Sequence, residues 1–135
     1  MPKSWKEKLN PKTEPHVSVI DKPMYGFPPG SKLFVATPTV VKAYIESIPK
    51  GQTRTPEQMR RELAEANGAD GTCSMTAGIS ARIAAEAALE DLAEGKSHDS
   101  ISPFWRLIEP SSTTARKLSC GAEFVERMRA SEGII

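Results

Sequence analysis

The sequence predicts a mainly α-helical domain with a small β hairpin, in the order of a winged helix-turn-helix, preceded by a proline-rich arm. Seven of the eleven prolines fall within the first 38 residues, where fixed φ angles and missing N–H donors discourage long regular elements. From Thr39 onward, apolar residues recur at helical spacing, and a strand-like pair precedes a last helix. Helix, helix, long helix, hairpin, helix is the order of a winged helix-turn-helix.

The chain is therefore divided into an extended arm, residues 1–37, and a winged-helix domain, residues 38–135. Within the arm, residues 4–9 predict one helical turn. Residues 17–20 and 32–36 alternate enough to predict two short strands, separated by a turn signal of two prolines, a glycine and a serine.

Two helices open the domain. Apolar residues recur at helical spacing between positions 40 and 48, and a Pro-Lys-Gly sequence ends that run. Thr55 predicts the N-cap of the second helix, because Pro56 suits the first helical position and Gln58 completes a capping box. An Asn-Gly pair at positions 67–68 supplies its stop.

The longest helix follows residues 71–74 and ends at Gly95. Met75, Ile79 and Ile83 mark it at intervals of four, and small residues crowd its first half. Small side chains allow close approach of a second surface. That surface is either another helix of the domain or the groove of a DNA duplex, and composition leaves both readings open.

A hairpin and a helix close the domain. Residues 104–108 predict a strand, residues 109–112 a turn, and residues 113–118 the returning strand of a two-stranded wing. Gly121 opens the last helix, and Gly133 marks its C-terminal end.

Composition limits the classes of function. The chain has 135 residues and a formal net charge of +1, so any DNA binding has to depend on a local basic patch and have modest affinity. No signal peptide is apparent and no apolar run approaches the ~20 residues of a membrane span, so we expect a cytoplasmic protein without a membrane partner. Cys73 and Cys120 are expected to be free thiols, and no metal or other cofactor is expected.

Three segments resemble the C-terminal DNA-binding domain of the alkylguanine-DNA alkyltransferases (methylated-DNA-protein-cysteine methyltransferases) and their cysteine-lacking, alkyltransferase-like relatives. Residues 48–55, IPKGQTRT, are similar to the family's Ile-Pro-x-Gly-x-Val-x-Thr. Residues 103–108, PFWRLI, are similar to Pro-Cys-His-Arg-Val-Ile. Residues 121–133 are similar to the closing glycine, helix and Glu-Gly pair. The resemblance covers about residues 38–134 and implies a winged helix that binds DNA.

The resemblance also implies that this chain is not an enzyme. The family's acceptor cysteine and activating histidine correspond to Phe104 and Trp105, which can neither accept an alkyl group nor act as a base. No catalytic residue is therefore assigned. Phe104, Trp105 and Glu132, which keeps the family's closing glutamate, are the candidates for a base pocket. The two aromatic side chains either form a wall for an extruded base or fill the vacated pocket as core.

Base flipping itself lacks two of the family's groups. Flipping costs a few kcal/mol of unstacking, which inserted side chains must offset. In the family these are a tyrosine after the conserved threonine and an arginine finger on the recognition helix. Here the tyrosine position is Pro56, and the finger position falls near Ala77, with Arg82 more than one turn further along.

The predicted DNA contacts combine small residues of the long helix in the minor groove with basic groups on phosphates. The predicted contact residues are Arg54, Thr55, Ser74, Thr76, Ala77, Gly78, Ala81, Arg82, Arg106, Arg116 and Lys117. Arg60 and Arg61 are further candidates for phosphate contacts. Glu86, Glu90, Asp91 and Glu94 lie on the second half of the same helix and would repel the phosphates unless they face away.

The sequence thus predicts a non-catalytic DNA-binding protein of the alkyltransferase-like kind, recognising alkylated or distorted DNA for repair. Its partners would be double-stranded DNA and a repair protein. The alternative is a protein-interaction module on a winged-helix scaffold that has lost DNA binding, since fold does not fix function. The near-neutral charge and the missing tyrosine and arginine favour this alternative, whereas the small-residue helix and the basic wing favour DNA binding.

Overall fold

The computed structural model describes residues 4–9 and 14–134. The parts of the predicted arm at residues 1–3 and 10–13, and residue 135 of the predicted domain, lie outside these described residues. The elements are α1 (Trp5–Lys8), β1 (His16–Val19), β2 (Lys32–Val35), α2 (Pro38–Ser47), α3 (Pro56–Ala66), β3 (Gly71–Thr72), α4 (Ser74–Ala93), two 3₁₀ turns (His98–Ser100 and Phe104–Arg106), α5 (Thr113–Lys117) and α6 (Gly121–Ser131). The prediction of a mainly α-helical protein with a small β component is confirmed.

A three-stranded sheet in the order β1-β2-β3 joins the predicted arm to the helices. Strand β1 runs antiparallel to β2, and β2 runs parallel to β3. The middle strand carries Leu33 and Phe34 into the interior, where they are 2% and 3% exposed. Gly71 begins β3 against the ring of Phe27, which lies 2.2 Å from the place that a Cβ at position 71 would occupy. A side chain at position 71 would therefore displace the Phe27 ring.

The core forms where α2 crosses α4, and the helix signals in the sequence are confirmed there. Val41 and Ile45 of α2 are fully buried. The capping box of α3 is present, with a 3.0 Å bond from the Gln58 backbone N–H to Thr55 Oγ1 and a 2.8 Å bond from the Thr55 N–H to Gln58 Oε1. Helix α4 turns alanines toward α2, and their small side chains let the two helices approach closely.

The hairpin predicted for residues 104–118 is wrong. Residues 104–106 form a 3₁₀ turn, and residues 113–117 form α5, whose first turn is capped by a 3.1 Å bond from the Ala115 N–H to Ser112 Oγ. The physical reason is burial on all sides: Phe104 and Trp105 are 0% and 2% exposed. Consecutive side chains of a strand point to opposite faces, and a two-stranded wing has one face in solvent. It therefore cannot bury two consecutive residues such as Phe104 and Trp105.

Helix α1 docks on the second half of α4 and covers acidic residues there. The Glu90 carboxylate accepts the backbone N–H groups of Trp5 and Lys6 at 3.1 and 2.8 Å. The Lys6 ammonium pairs with Asp91 at 2.8 Å and also with Glu94. Of the carboxylates that were expected to repel DNA, Asp91 and Glu94 thus pair with Lys6, and Glu90 accepts backbone N–H groups of the same helix.

Candidate nucleic-acid interface

A cavity of about 360 Å³ lies between the start of α3, the first half of α4 and the segment before α5. Thr55, Ala77, Gly78 and Ala81, four of the predicted DNA contacts, line it. Of the remaining lining residues, Arg60 alone was named by the sequence analysis as a candidate contact, and together they come from three separate segments. They are Pro56, Glu57, Met59, Arg60, Leu107, Ile108, Glu109, Ser112 and Thr114. Contacts this distant in sequence leave no local signal.

The α4 side of this cavity is made of small residues with different exposure. Ala77 and Ala81 are 1% and 8% exposed and pack toward the core. Gly78 is exposed, and nothing lies within 4 Å of the place that a Cβ would occupy there. The helix backbone at position 78 is therefore open to close approach by another molecule.

The other predicted contacts near the start of α4 and α3 serve the local backbone as well. Ser74 begins α4, and Thr76 Oγ1 donates a 3.3 Å bond to the Cys73 carbonyl. Arg54 is half-buried, and its guanidinium bonds the Thr53 carbonyl at 2.9 Å and Gln52 Oε1 at 3.2 Å. Thr55 uses its hydroxyl as the α3 cap. Of these residues, Thr55 lines the cavity.

Arg106 was predicted to contact phosphate from a wing, and this prediction is wrong. Its guanidinium bonds both carboxylate oxygens of Glu132, at 2.9 and 2.8 Å, and donates a third bond of 2.8 Å to the Ile48 carbonyl. The Arg106 side chain is only 13% exposed. A guanidinium held by three bonds in the interior cannot also reach a phosphate.

Glu132 anchors this cluster instead of bordering a base pocket next to α4. It also accepts the Trp105 Nε1–H at 2.9 Å and the Gly51 N–H at 3.1 Å. Burial raises the pKa of Glu132, but the bonds from Arg106, Gly51 and Trp105 outweigh burial and lower the pKa to about 2. The carboxylate is therefore charged at neutral pH and fixes the C-terminal end of α6.

Phe104 and Trp105 fill the interior, which is the second of the two alternatives left open by the sequence. Their rings meet edge to face at a centroid distance of 5.4 Å, and Phe104 stacks on Phe124 at 5.9 Å. Neither side chain lines the cavity beside α4. Trp105 and Glu132 border a separate, open cavity of about 880 Å³ on the other side of the 3₁₀ turn. Phe104 lines neither of these two cavities and belongs to the core, which corrects its assignment to a base pocket.

The remaining basic residues that were predicted to contact DNA differ in how exposed they are and in whether the protein already binds them. Arg82 is half-buried: it donates a 3.4 Å bond to the Lys117 carbonyl, and its guanidinium lies 5.5 Å from the Trp5 ring centroid. Arg116 and Lys117 are exposed on α5, not on a wing strand. Arg60 lines the cavity from α3. Arg60, Arg116 and Lys117 are therefore the basic groups best placed to reach a ligand.

Cys73 and Cys120 are free thiols, as predicted. Burial raises the pKa of Cys73, but bonds from Thr76 and the Tyr25 hydroxyl lower it below its ordinary value. Burial raises the pKa of Cys120. Among the described residues, neither thiol lines the cavity beside α4, and no group of three or more His, Cys, Asp or Glu is arranged to hold a metal ion.

No described helix has both the length and the apolar character needed to cross a membrane. Comparison with protein-family models, with curated proteins and with solved structures finds no match to this chain.

Proposed function

We propose that this chain is a non-catalytic DNA-binding protein of the alkyltransferase-like type, which presents α3 and the first half of α4 to a distorted or alkylated duplex. The observation that carries the proposal is the open backbone at Gly78, beside a cavity that Thr55, Ala77 and Ala81 also line. The sequence resemblance assigns these same residues to the DNA-facing side. Helices α3 and α4 take the place of the helix-turn-helix, without the predicted wing.

The charges around this surface support a nucleic-acid ligand. Arg60 flanks the cavity, and Arg116 and Lys117 are exposed on α5. Two carboxylates of α4 are engaged within the protein: Glu86 accepts bonds from Ser119, and Glu90 accepts the N–H groups of the α1 backbone. Glu57 and Glu109 line the cavity together with Arg60, so the cavity lining is slightly negative and the positive charge lies outside it, on α5. Modest affinity follows from this balance.

The cavity supports recognition of a displaced base. Its volume of about 360 Å³ lies at the lower end of the range for small organic ligands. Its walls combine apolar side chains, such as Met59 and Leu107, with the Thr114 hydroxyl, whereas the Ser112 hydroxyl is engaged by the Ala115 N–H and the Glu109 carbonyl. An extruded base needs this combination of apolar walls and a few hydrogen-bonding groups. Because no cysteine lines the cavity among the described residues, we propose recognition without alkyl transfer.

Fluorescence anisotropy with a labelled duplex tests the proposal. Two duplexes, with and without one O6-methylguanine, are titrated with the protein over a salt series. With about three phosphates engaged, the logarithm of affinity should fall with the logarithm of salt concentration at a slope of roughly −3. Arg116→Ala should make the slope shallower by about one, whereas Arg127→Ala, at an exposed site on α6, should leave it unchanged.

The second candidate, a protein-interaction module, is favoured by one observation: Met75 and Ile79 are 59% and 54% exposed on α4. Exposed large apolar side chains are typical of protein contacts. If neither duplex binds at ~50 mM salt and micromolar protein, the DNA proposal fails and this alternative replaces it.

A further inference from the structure

Strand β1 is an open edge of the sheet. It pairs with β2 on one side, and among the described residues no strand pairs with its other side. Val17 and Val19 of this strand are 39% and 64% exposed. Its four residues, HVSV, include no Lys, Arg, Asp or Glu, although charged side chains are a common protection of exposed edges. The edge can therefore accept a further strand.

The hydrogen bonds of the sheet define which backbone groups of β1 face this open side. The Ile20 N–H donates a 3.0 Å bond to the Ser31 carbonyl, in the same register that pairs Ser18 with Leu33. In an antiparallel ladder, alternate residues direct both their N–H and their C=O to the same side. Ser18 therefore bonds toward β2, whereas the N–H and C=O groups of its two valine neighbours point outward. Within the described part of the chain these outward groups have no partner.

The outward groups are complementary to a second, antiparallel copy of themselves. A twofold axis at Ser18 places Val17 of each copy opposite Val19 of the other, and each such pair exchanges two hydrogen bonds. Shifting the register so that Val17 lies opposite itself would bring Val19 against Pro15, which has no N–H to donate. The opposite shift would use Asp21, where the chain bends away from the strand. The register centred on Ser18 thus satisfies the edge best.

The charges at the ends of the strand suit the same register. Glu14 precedes β1 and Lys22 follows it, and both are exposed without an ion pair in the described chain. With the axis at Ser18, Glu14 of each copy lies opposite Lys22 of the other, and Asp21 lies opposite Pro15. Opposite charges directly across a strand pair stabilise it. Two ion pairs would therefore flank the paired valines.

We propose that β1 is a homodimerisation edge, at which two copies of the chain join their sheets across a twofold axis. The interface is self-complementary, as a twofold dimer requires. Because each copy contributes only one short strand, we expect a weak dimer with a dissociation constant on the order of 100 µM. The edge contains none of the residues proposed to contact DNA, so the proposal does not depend on the proposed function.

Sedimentation equilibrium of the full chain up to ~1 mM measures the association, and amide hydrogen exchange locates it. The N–H groups of Val17 and Val19 should exchange more slowly in the concentrated protein than in the dilute one. The N–H of Ser18, which bonds toward β2, should exchange at the same rate in both. A chain that stays monomeric at ~1 mM, or a dimer without slower exchange at the two valines, would overturn the proposal.

Val17→Pro removes an outward N–H and leaves the ladder to β2 intact, because proline is accepted on an edge strand where its nitrogen faces solvent. Dimerisation should weaken by at least about tenfold. Val17→Thr is the matched control, since it keeps the N–H and a strand-favouring side chain, and it should dimerise within about threefold of the unmodified chain. Equal dimerisation by the two variants would contradict the proposed pairing.

A charge exchange tests the register without relying on proline. Glu14→Lys and Lys22→Glu each place like charges opposite one another, so each variant alone should associate more weakly than the unmodified chain. An equimolar mixture of the two should associate more strongly than either alone, because opposite charges then meet at both ends of the strand. A mixture no stronger than its components would overturn the register. Association that persists in every variant would place the contact elsewhere, such as at the exposed Met75 and Ile79, and the proposal would fail.

Discussion

Glu132 shows how one carboxylate fixes three separate parts of the chain. Its oxygens accept bonds from Arg106, from the Trp105 indole and from the Gly51 backbone. The Glu132 side chain is 5% exposed, and that of Arg106 is 13% exposed. Removing one partner of such a pair leaves the other charge buried without a partner. The resulting loss in the free energy of unfolding is larger than the net stabilisation that the intact pair provides. We therefore assign Glu132 to stability rather than to ligand contact.

Glu132→Gln should destabilise the protein by about 3 kcal/mol at neutral pH, because the Arg106 guanidinium loses its charged partner. The urea midpoint measures this change, with Glu126→Gln at an exposed site on the same helix as the control. Because the pKa of Glu132 is lowered from 4.5 to about 2, its contribution is present above pH 4.5 and is lost as pH falls toward 2. The variant should lack this part of the acid dependence. An equal loss between pH 5 and 2 in both proteins would contradict the assignment.

At the scale of elements, the docking of α1 covers acidic groups in the second half of α4, which the proposed DNA binding requires. A four-residue helix is too short to be stable alone. Helix α1 is held by Glu90 at its N-terminal N–H groups and by the Lys6 ion pairs with Asp91 and Glu94. The carboxylates of Asp91 and Glu94 raise the pKa of Lys6, so its ammonium stays charged throughout the neutral range.

Glu90→Ala should release α1 from α4 without unfolding the core, because the carboxylate touches only the backbone of Trp5 and Lys6 in the arm. Iodide quenching of tryptophan fluorescence should increase, since Trp5 becomes exposed while Trp105 stays buried. Glu65→Ala, at an exposed site on α3, is the control. Unchanged quenching in Glu90→Ala would mean that other contacts hold α1 in place.

Helices α1 to α4 and α6 could be predicted from the sequence because their signals are local, whereas α5 was predicted as a strand. Thr55, Pro56 and Gln58 define the start of α3 within four residues. The 3₁₀ turn at Phe104 could not be predicted from the sequence, because a short apolar run is equally compatible with a strand and with a buried turn. Strand β3 has two residues and depends on its pairing with β2, nearly forty positions earlier.

The candidate site likewise contains residues that could be found from the local sequence and residues whose roles depend on distant contacts. The small residues at 77, 78 and 81 were noted from the composition of the helix and assigned to the candidate site by the resemblance, and they line the cavity. The role of Arg106 was missed because its partner Glu132 lies 26 positions away. The exposure of Met75 and Ile79 was missed because apolar spacing alone does not distinguish an exposed helical face from a buried one.

At the scale of the whole molecule, a net charge of +1 leaves no general attraction to DNA. The proposed binding would then depend on how closely one surface fits the duplex, and at Gly78 the backbone of that surface is open. The protein's affinity should accordingly respond to a change of shape at this position more than to the loss of any single charge.

The most direct test is the substitution Gly78→Leu, measured by duplex anisotropy at ~50 mM salt with micromolar protein. The new side chain meets no atom of the protein within 4 Å of its Cβ, and leucine favours the helix more than glycine does, so the fold should be kept or stabilised. The control is Ala43→Leu, at an exposed site on α2. We expect Gly78→Leu to abolish binding while Ala43→Leu binds as the unmodified chain. Undiminished binding by a folded Gly78→Leu protein would contradict the assignment of α4 as the DNA-facing surface.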